Sequence, residues 1–221
     1  MLGALAAVVL ACVGYELSLP SVAGAPARVS AIVRSHGGRL GTLPLPAKLA
    51  SAVVAVEDEH FYSNVAVNVA DGAGRAGLAM MHTTGDPGGS TIAQQLAKQL
   101  YPHGAGLGGT MEEIGLGVKL ALSYSKAQIL EMYLNAIYFG NGFWGYEAAS
   151  TGYFGSSPDR LTWAEAAMLA GLPQAPSDYD PLRHLGLAKR RQREVLHQLV
   201  VNRDLTPAQA AAAYRAPLPF R

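Results

Sequence analysis

One cysteine in 221 residues, Cys12, rules out an intramolecular disulfide framework and any zinc site built on cysteine pairs. Charge is scarce too: Asp, Glu, Lys and Arg make up 15% of the chain, and the formal net charge is +1. Without a basic excess the chain is not built to bind a polyanion, and no nucleic-acid partner is expected. No fixed period runs through the sequence, so a repeat architecture is excluded. The apolar run from Leu2 to Gly14 has thirteen residues. As a helix it would reach ~20 Å, short of the ~30 Å hydrocarbon core of a bilayer. No Lys or Arg precedes it, so it does not read as a signal peptide. Residues 1–15 are read as the end of a membrane anchor, with a core helix as the alternative.

The length suits one domain with a full core. Residues 16–45, with their Pro, Gly and Ser, read as a linker or irregular approach segment. Residues 46–221 then form the folded domain. Pro46 suits a first helical turn, and Leu49, Val53 and Val56 recur at helical spacing. This helix runs into Glu57-Asp58-Glu59-His60-Phe61-Tyr62. Glu57 sits where an apolar segment meets a polar one. There a carboxylate is partly desolvated and its pKa moves towards the range of a general base. The plainer reading is an amphipathic helix ending in solvated acids.

Further along, Gly72-Ala-Gly74-Arg75-Ala-Gly77 matches a dinucleotide-binding pattern. No acidic residue follows at the required distance and no second β-α-β unit follows, so a loop is expected. Gly88-Gly-Ser90 opens a helix in which Thr91 and Gln94 form a capping box. Ile92, Leu96 and Leu100 make one stripe. Gln94, Gln95 and Lys98 gather on the other side, where an amide pair beside a Lys can hold phosphate or sugar oxygens. A solvated face is the plainer alternative. Pro102 to Gly109 reads as a loop. Thr110 to Glu113 reads as the start of the next helix, again with a capping box. Ser123-Tyr-Ser-Lys126 matches S-x-x-K, but no K-T-G follows, and Ser125 to Gln128 caps a helix instead. Leu187 to Arg203 is a basic helix, read as a solvated face. Strand signals are weak throughout, and the fold class is mainly α.

Three stretches together resemble the family 51 glycosyltransferases, the transglycosylase domains of class A penicillin-binding proteins and monofunctional transglycosylases. Glu57, Asp58 and Phe61 match the first motif, E-D-x-x-F-x-x-H-x-G, with Asn64 and Ala66 in place of its His and Gly. Gly88 to Lys98 match G-G-S-T-I-T-Q-Q-L-x-K-N except at Ala93, and Gln99 replaces the final Asn. The third motif, R-K-x-x-E, puts Glu113 on its Glu but Gly109 and Thr110 on its cations. The stretches from Asn135 to Pro176 resemble the architectural fourth and fifth motifs.

The resemblance implies a lysozyme-like two-lobed helical domain with a substrate groove. It implies catalytic roles for Glu57 and Glu113, and substrate binding by Asp58, Phe61, Ser90, Thr91, Gln94, Gln95 and Lys98. The implied activity is polymerisation of lipid II into β-1,4 glycan, with inversion at the anomeric carbon and release of undecaprenyl pyrophosphate. The place implied is the outer face of the bacterial cytoplasmic membrane, with lipid II and the growing strand as partners. No organic cofactor is expected. With both motif-three cations missing, the candidate substitutes are Lys119, Arg75, His103 and a divalent ion (Mg or Mn) at Glu113, of which the ion is the expected one. The departures at Asn64, Asn68, Ala93, Gly109 and Thr110 leave open a catalytically weakened homologue that binds lipid II or a cell-wall synthesis partner. A lysozyme-like hydrolase with Glu57 as acid is the third reading, and Lys98 argues against it.

Overall fold

A computed structural model describes residues 14–15, 17–42, 44–62, 91–102 and 104–221. The anchor stretch before Gly14, the Gly72–Gly77 loop, and Asn64, Asn68, Arg75, Ser90 and His103 lie outside the described residues. The helices are α1 (Ala25–Ser35), α2 (Ala47–Glu57), α3 (Ile92–Leu100), α4 (Leu107–Ser123) and α5 (Lys126–Ala136). They continue with α6 (Tyr146–Phe154), α7 (Trp163–Gly171), α8 (Leu185–Val201) and α9 (Pro207–Arg215). Among the described residues there is no strand, only an isolated bridge between Tyr138 and Trp144. The mainly α expectation holds. No described helix is long and apolar enough to cross a membrane.

Capping boxes fix where four helices begin. Thr91–Gln94, Ser125–Gln128, Thr162–Glu165 and Thr206–Gln209 each satisfy two otherwise orphaned backbone donors. The predicted box at Thr110–Glu113 does not form. Helix α4 starts earlier, at Leu107, and the Thr110 hydroxyl donates back to the Gly106 carbonyl. Glu113 lies inside the helix and is not a cap.

The helices fall into two packed groups. In the first, α2 buries Leu49, Val53 and Val54 against α7 and α8, and α9 packs on α8. Helix α7 is buried on every side, which its Ala-rich sequence permits. In the second group, α3 lies between α4 and α5. Gly117 lets α4 approach closely, since a Cβ there would stand 2.9 Å from the Gln94 Cγ. Helix α6 joins the groups through contacts with both α5 and α7.

Residues 16–45 are not an irregular linker throughout. Helix α1 buries Val29 and Val33 and packs on α5. Its Arg28 lies 4.7 Å over the Tyr101 ring. The preceding turn is held by the Tyr124 hydroxyl, which donates to the Val22 carbonyl at 2.8 Å. The linker reading failed because α1 has only a thin apolar stripe and no side-chain cap. Its stability comes from tertiary burial. The basic helix α8 also departs from a simple solvated face. Lys189 Nζ donates to the Tyr214 carbonyl at 2.7 Å, and an Arg193 Nη donates to the Tyr214 hydroxyl at 2.6 Å, clamping α9.

If α1 is part of the core, Val33→Ala should lower unfolding free energy by about 1–3 kcal/mol. Chemical denaturation measures this, and an unchanged midpoint would return the segment to linker status.

Candidate active site

The two helix groups meet at the end of α2. Glu57 is the last residue of that helix, and Asp58 follows in an extended conformation. Residues 92 and 95 share one face of α3, three positions apart. The two consecutive acids each engage one of them. Asp58 Oδ2 accepts the Ile92 backbone N–H at 3.3 Å, placing a carboxylate at the positive end of the α3 dipole. Glu57 Oε2 accepts from Gln95 Nε2 at 2.8 Å. Gln95 Oε1 in turn accepts from the Tyr133 hydroxyl of α5, also at 2.8 Å. Tyr133 is 1% exposed. Burial, and next the negative charge of Glu57, push its pKa well above the usual phenol value. It stays a hydrogen-bond donor across the working pH range.

Lys126, at the start of α5, completes the junction. Its Nζ lies 4.6 Å over the Phe61 ring, and its charge attracts that of Asp58. Desolvation by burial raises the Asp58 pKa, an effect that Ile92, Lys126 and His60 only partly offset. Desolvation likewise lowers the pKa of Lys126. Asp58, Thr91, Gln94 and Lys126 line a small cleft whose apolar wall includes Ile114 and Val118 of α4.

The expected site residues are thus only partly gathered. Gln94 and Gln95 do not form a shared amide surface with Lys98. The Gln94 side chain is buried and accepts the Thr91 backbone N–H at 2.9 Å, serving the cap. Gln95 turns to Glu57, while Lys98 is exposed. Phe61 is 1% exposed and belongs to the core, where it carries Lys126. Glu113 is half-buried on α4. At Gly109, where the family has Arg, a Cβ would collide with the Gly104 carbonyl oxygen, so the loop fills the space a side chain needs. Lys119 is taken up by the N-terminal segment, donating to the Leu19 carbonyl at 2.7 Å.

Two residues of the junction escaped the sequence reading. Tyr133 carries no local mark of function, and Lys126 belongs to the rejected S-x-x-K match. Nothing local reveals that the Tyr133 hydroxyl meets Gln95, 38 positions away.

A carboxylate is thus held at the seam of two helical groups, beside a partly desolvated acid–lysine pair. The transglycosylase family model matches residues 35–200. A Cupriavidus necator protein assigned as a transglycosylase is 36% identical over 178 residues, covering 80% of this chain and 77% of that one. Penicillin-binding protein 2a of Streptococcus pneumoniae is 42% identical over 153 residues, covering 69% of this chain and 20% of its own length. The chain therefore spans about a fifth of that relative. The crystal structure of penicillin-binding protein 1A from Haemophilus influenzae is similar with a TM-score of 0.51 and 24% identity. That similarity covers 83% of this chain and 18% of the other, and it supports the fold. The chain belongs to the transglycosylase family.

The raised Asp58 pKa has a consequence for stability. The folded state holds a proton on Asp58 more tightly than the unfolded chain does. Stability is therefore lost as pH rises from the ordinary value of 3.8 through the raised folded value. Asp58→Asn keeps an oxygen for the Ile92 N–H and carries no charge. Its stability relative to the parent should increase with pH across that window, as read by denaturation at a series of pH values. A difference that is flat or falls with pH contradicts the assignment.

Proposed function

We propose that this domain polymerises lipid II into β-1,4 glycan, inverting the anomeric carbon and releasing undecaprenyl pyrophosphate. The observation that carries the reading is the Glu57 carboxylate, fixed by Gln95 at the meeting of the two helix groups. Glu57 accepts the proton of the acceptor's 4-hydroxyl as that oxygen attacks the donor's anomeric carbon. The C–O bond to the pyrophosphate breaks with its electron pair on the leaving group. General-base help of this kind contributes ~10²–10⁴-fold. The growing strand and lipid II are the substrates, and the setting is the outer face of the cytoplasmic membrane.

Negative charge on the departing pyrophosphate needs compensation. Lys98 is exposed and matches the family's second-motif cation, and Ser90 and Thr91 stand in the same motif. Lys126 adds a cation beside Asp58. Glu113 supplies one carboxylate. Among the described residues, no three His, Cys, Asp or Glu side chains gather to hold a metal. The donor set fits only an ion that takes water and substrate phosphate oxygens as its other ligands, the habit of magnesium. Bound in that way, the ion would supply positive charge at the leaving group.

The filled space at Gly109 favours a second reading, a homologue that binds lipid II with reduced catalysis. Kinetics separate the two. Glu57→Gln keeps volume and removes the proton acceptor, so polymerisation of labelled lipid II should fall ~10²–10⁴-fold in a folded sample. A rate within a factor of about two of the parent would reject Glu57 as base. A parent already at background supports the second reading.

The metal proposal has its own test. Excess chelator should suppress polymerisation, and Glu113→Gln should remove the dependence on added magnesium together with most of the rate. Unchanged polymerisation in chelator removes the metal from the scheme.

A further inference from the structure

Gln95 contacts Glu57 through one end of its amide and Tyr133 through the other. An amide can be flipped at little cost in shape, so its direction is a matter of which partners donate and which accept. A carboxylate can only accept. If Gln95 were reversed, its oxygen would face the Glu57 oxygen at 2.8 Å, acceptor against acceptor. The carboxylate thereby sets the direction of the amide, and the Tyr133 hydroxyl, which remains protonated, offers its hydrogen to the oxygen end that this direction turns towards it. Three elements therefore share one chain of hydrogen bonds: α5 holds the phenol, α3 the amide and α2 the carboxylate.

We propose that Tyr133 is a positioning residue: its hydroxyl anchors the oxygen end of the Gln95 amide, whose other end holds the Glu57 carboxylate in place at the junction. The catalytic benefit rests on the reading of Glu57 as general base. The orientation itself does not. Tyr133 touches no reacting atom. Its effect passes through a single side chain, and a misplaced base loses rate steeply with distance.

A double-mutant cycle isolates this effect. Tyr133→Phe keeps the ring in its pocket and deletes only the donor. It should lower kcat for lipid II polymerisation by about tenfold to a hundredfold and leave KM within about twofold. Gln95→Met, similar in shape and without the amide, should lose at least as much. In the Gln95→Met background, Tyr133→Phe should cost nothing further. Independent losses that multiply would overturn the proposal, as would a parental kcat in folded Tyr133→Phe.

A readout without turnover accompanies the kinetics. In nitrogen-labelled protein, the Gln95 side-chain amide signal, assigned by its loss in Gln95→Met, should shift in both Tyr133→Phe and Glu57→Gln. A signal unmoved by Tyr133→Phe overturns the proposal whatever the rates do. Full activity of Glu57→Gln with a moved amide signal strikes the base reading and leaves the orientation supported.

Discussion

The hydrogen bond between Gln95 and Glu57 joins two helical groups that are each well packed on their own. Helix α2 is buried among α7 and α8, and α3 among α4 and α5. At the end of α2, where Glu57 and Asp58 face α3, the described side-chain contacts are polar, Glu57 with Gln95, Asp58 with the start of α3 and Lys126 near Asp58, while elsewhere one apolar core runs through both groups. An apolar seam would close to exclude water, as the rest of the core does. A polar seam needs every group satisfied, and it leaves room beside it for a polar substrate. Position and chemistry are coupled here, because the same side chains that join the groups present the carboxylate.

Small residues set how closely the elements approach. Gly117 brings α4 against the capping side chain of Gln94, so the start of α3 is fixed both by its box and by its neighbour. Gly109 gives its side-chain space to the Gly104 carbonyl. Cations have been redistributed in the same way. Lys119 ties down the N-terminal segment, and Lys189 and Arg193 clamp α9. A charge counted in the sequence is thus not a charge available to a ligand. Of the basic side chains near the second and third motifs, Lys98 is exposed and Lys126 is half-buried in the junction.

Much of the helical framework was legible in the order of residues. Capping boxes at Thr91 and Ser125 close over three positions, so their chemistry is complete within one turn and needs no distant partner. The end of α2 at Glu57 was legible for the same reason, as an apolar period giving way to acids. The family motifs added the functional meaning of that acid. Local rules failed where a neighbour outbid them. The Thr110–Glu113 box was formally correct, but α4 extends one turn further back to Leu107 and encloses Thr110. Helix α1 carried too little local signal, and burial of Val29 and Val33 supplied what capping did not.

By itself the sequence determined the helices that begin with a box, the acid at the end of α2 and the family. The folded arrangement alone assigned directions. Gln94 and Gln95 are adjacent and chemically identical, yet one turns inward to a cap and the other to Glu57, because their Cβ atoms leave α3 about 100° apart. Tyr133 is one more large side chain on a mostly apolar helix until α5 packs on α3 and brings its hydroxyl to the Gln95 oxygen. The physical reason is range. Caps and periodicity depend on residues within a turn or two, whereas a hydrogen bond across 38 positions exists only after packing has brought its ends together.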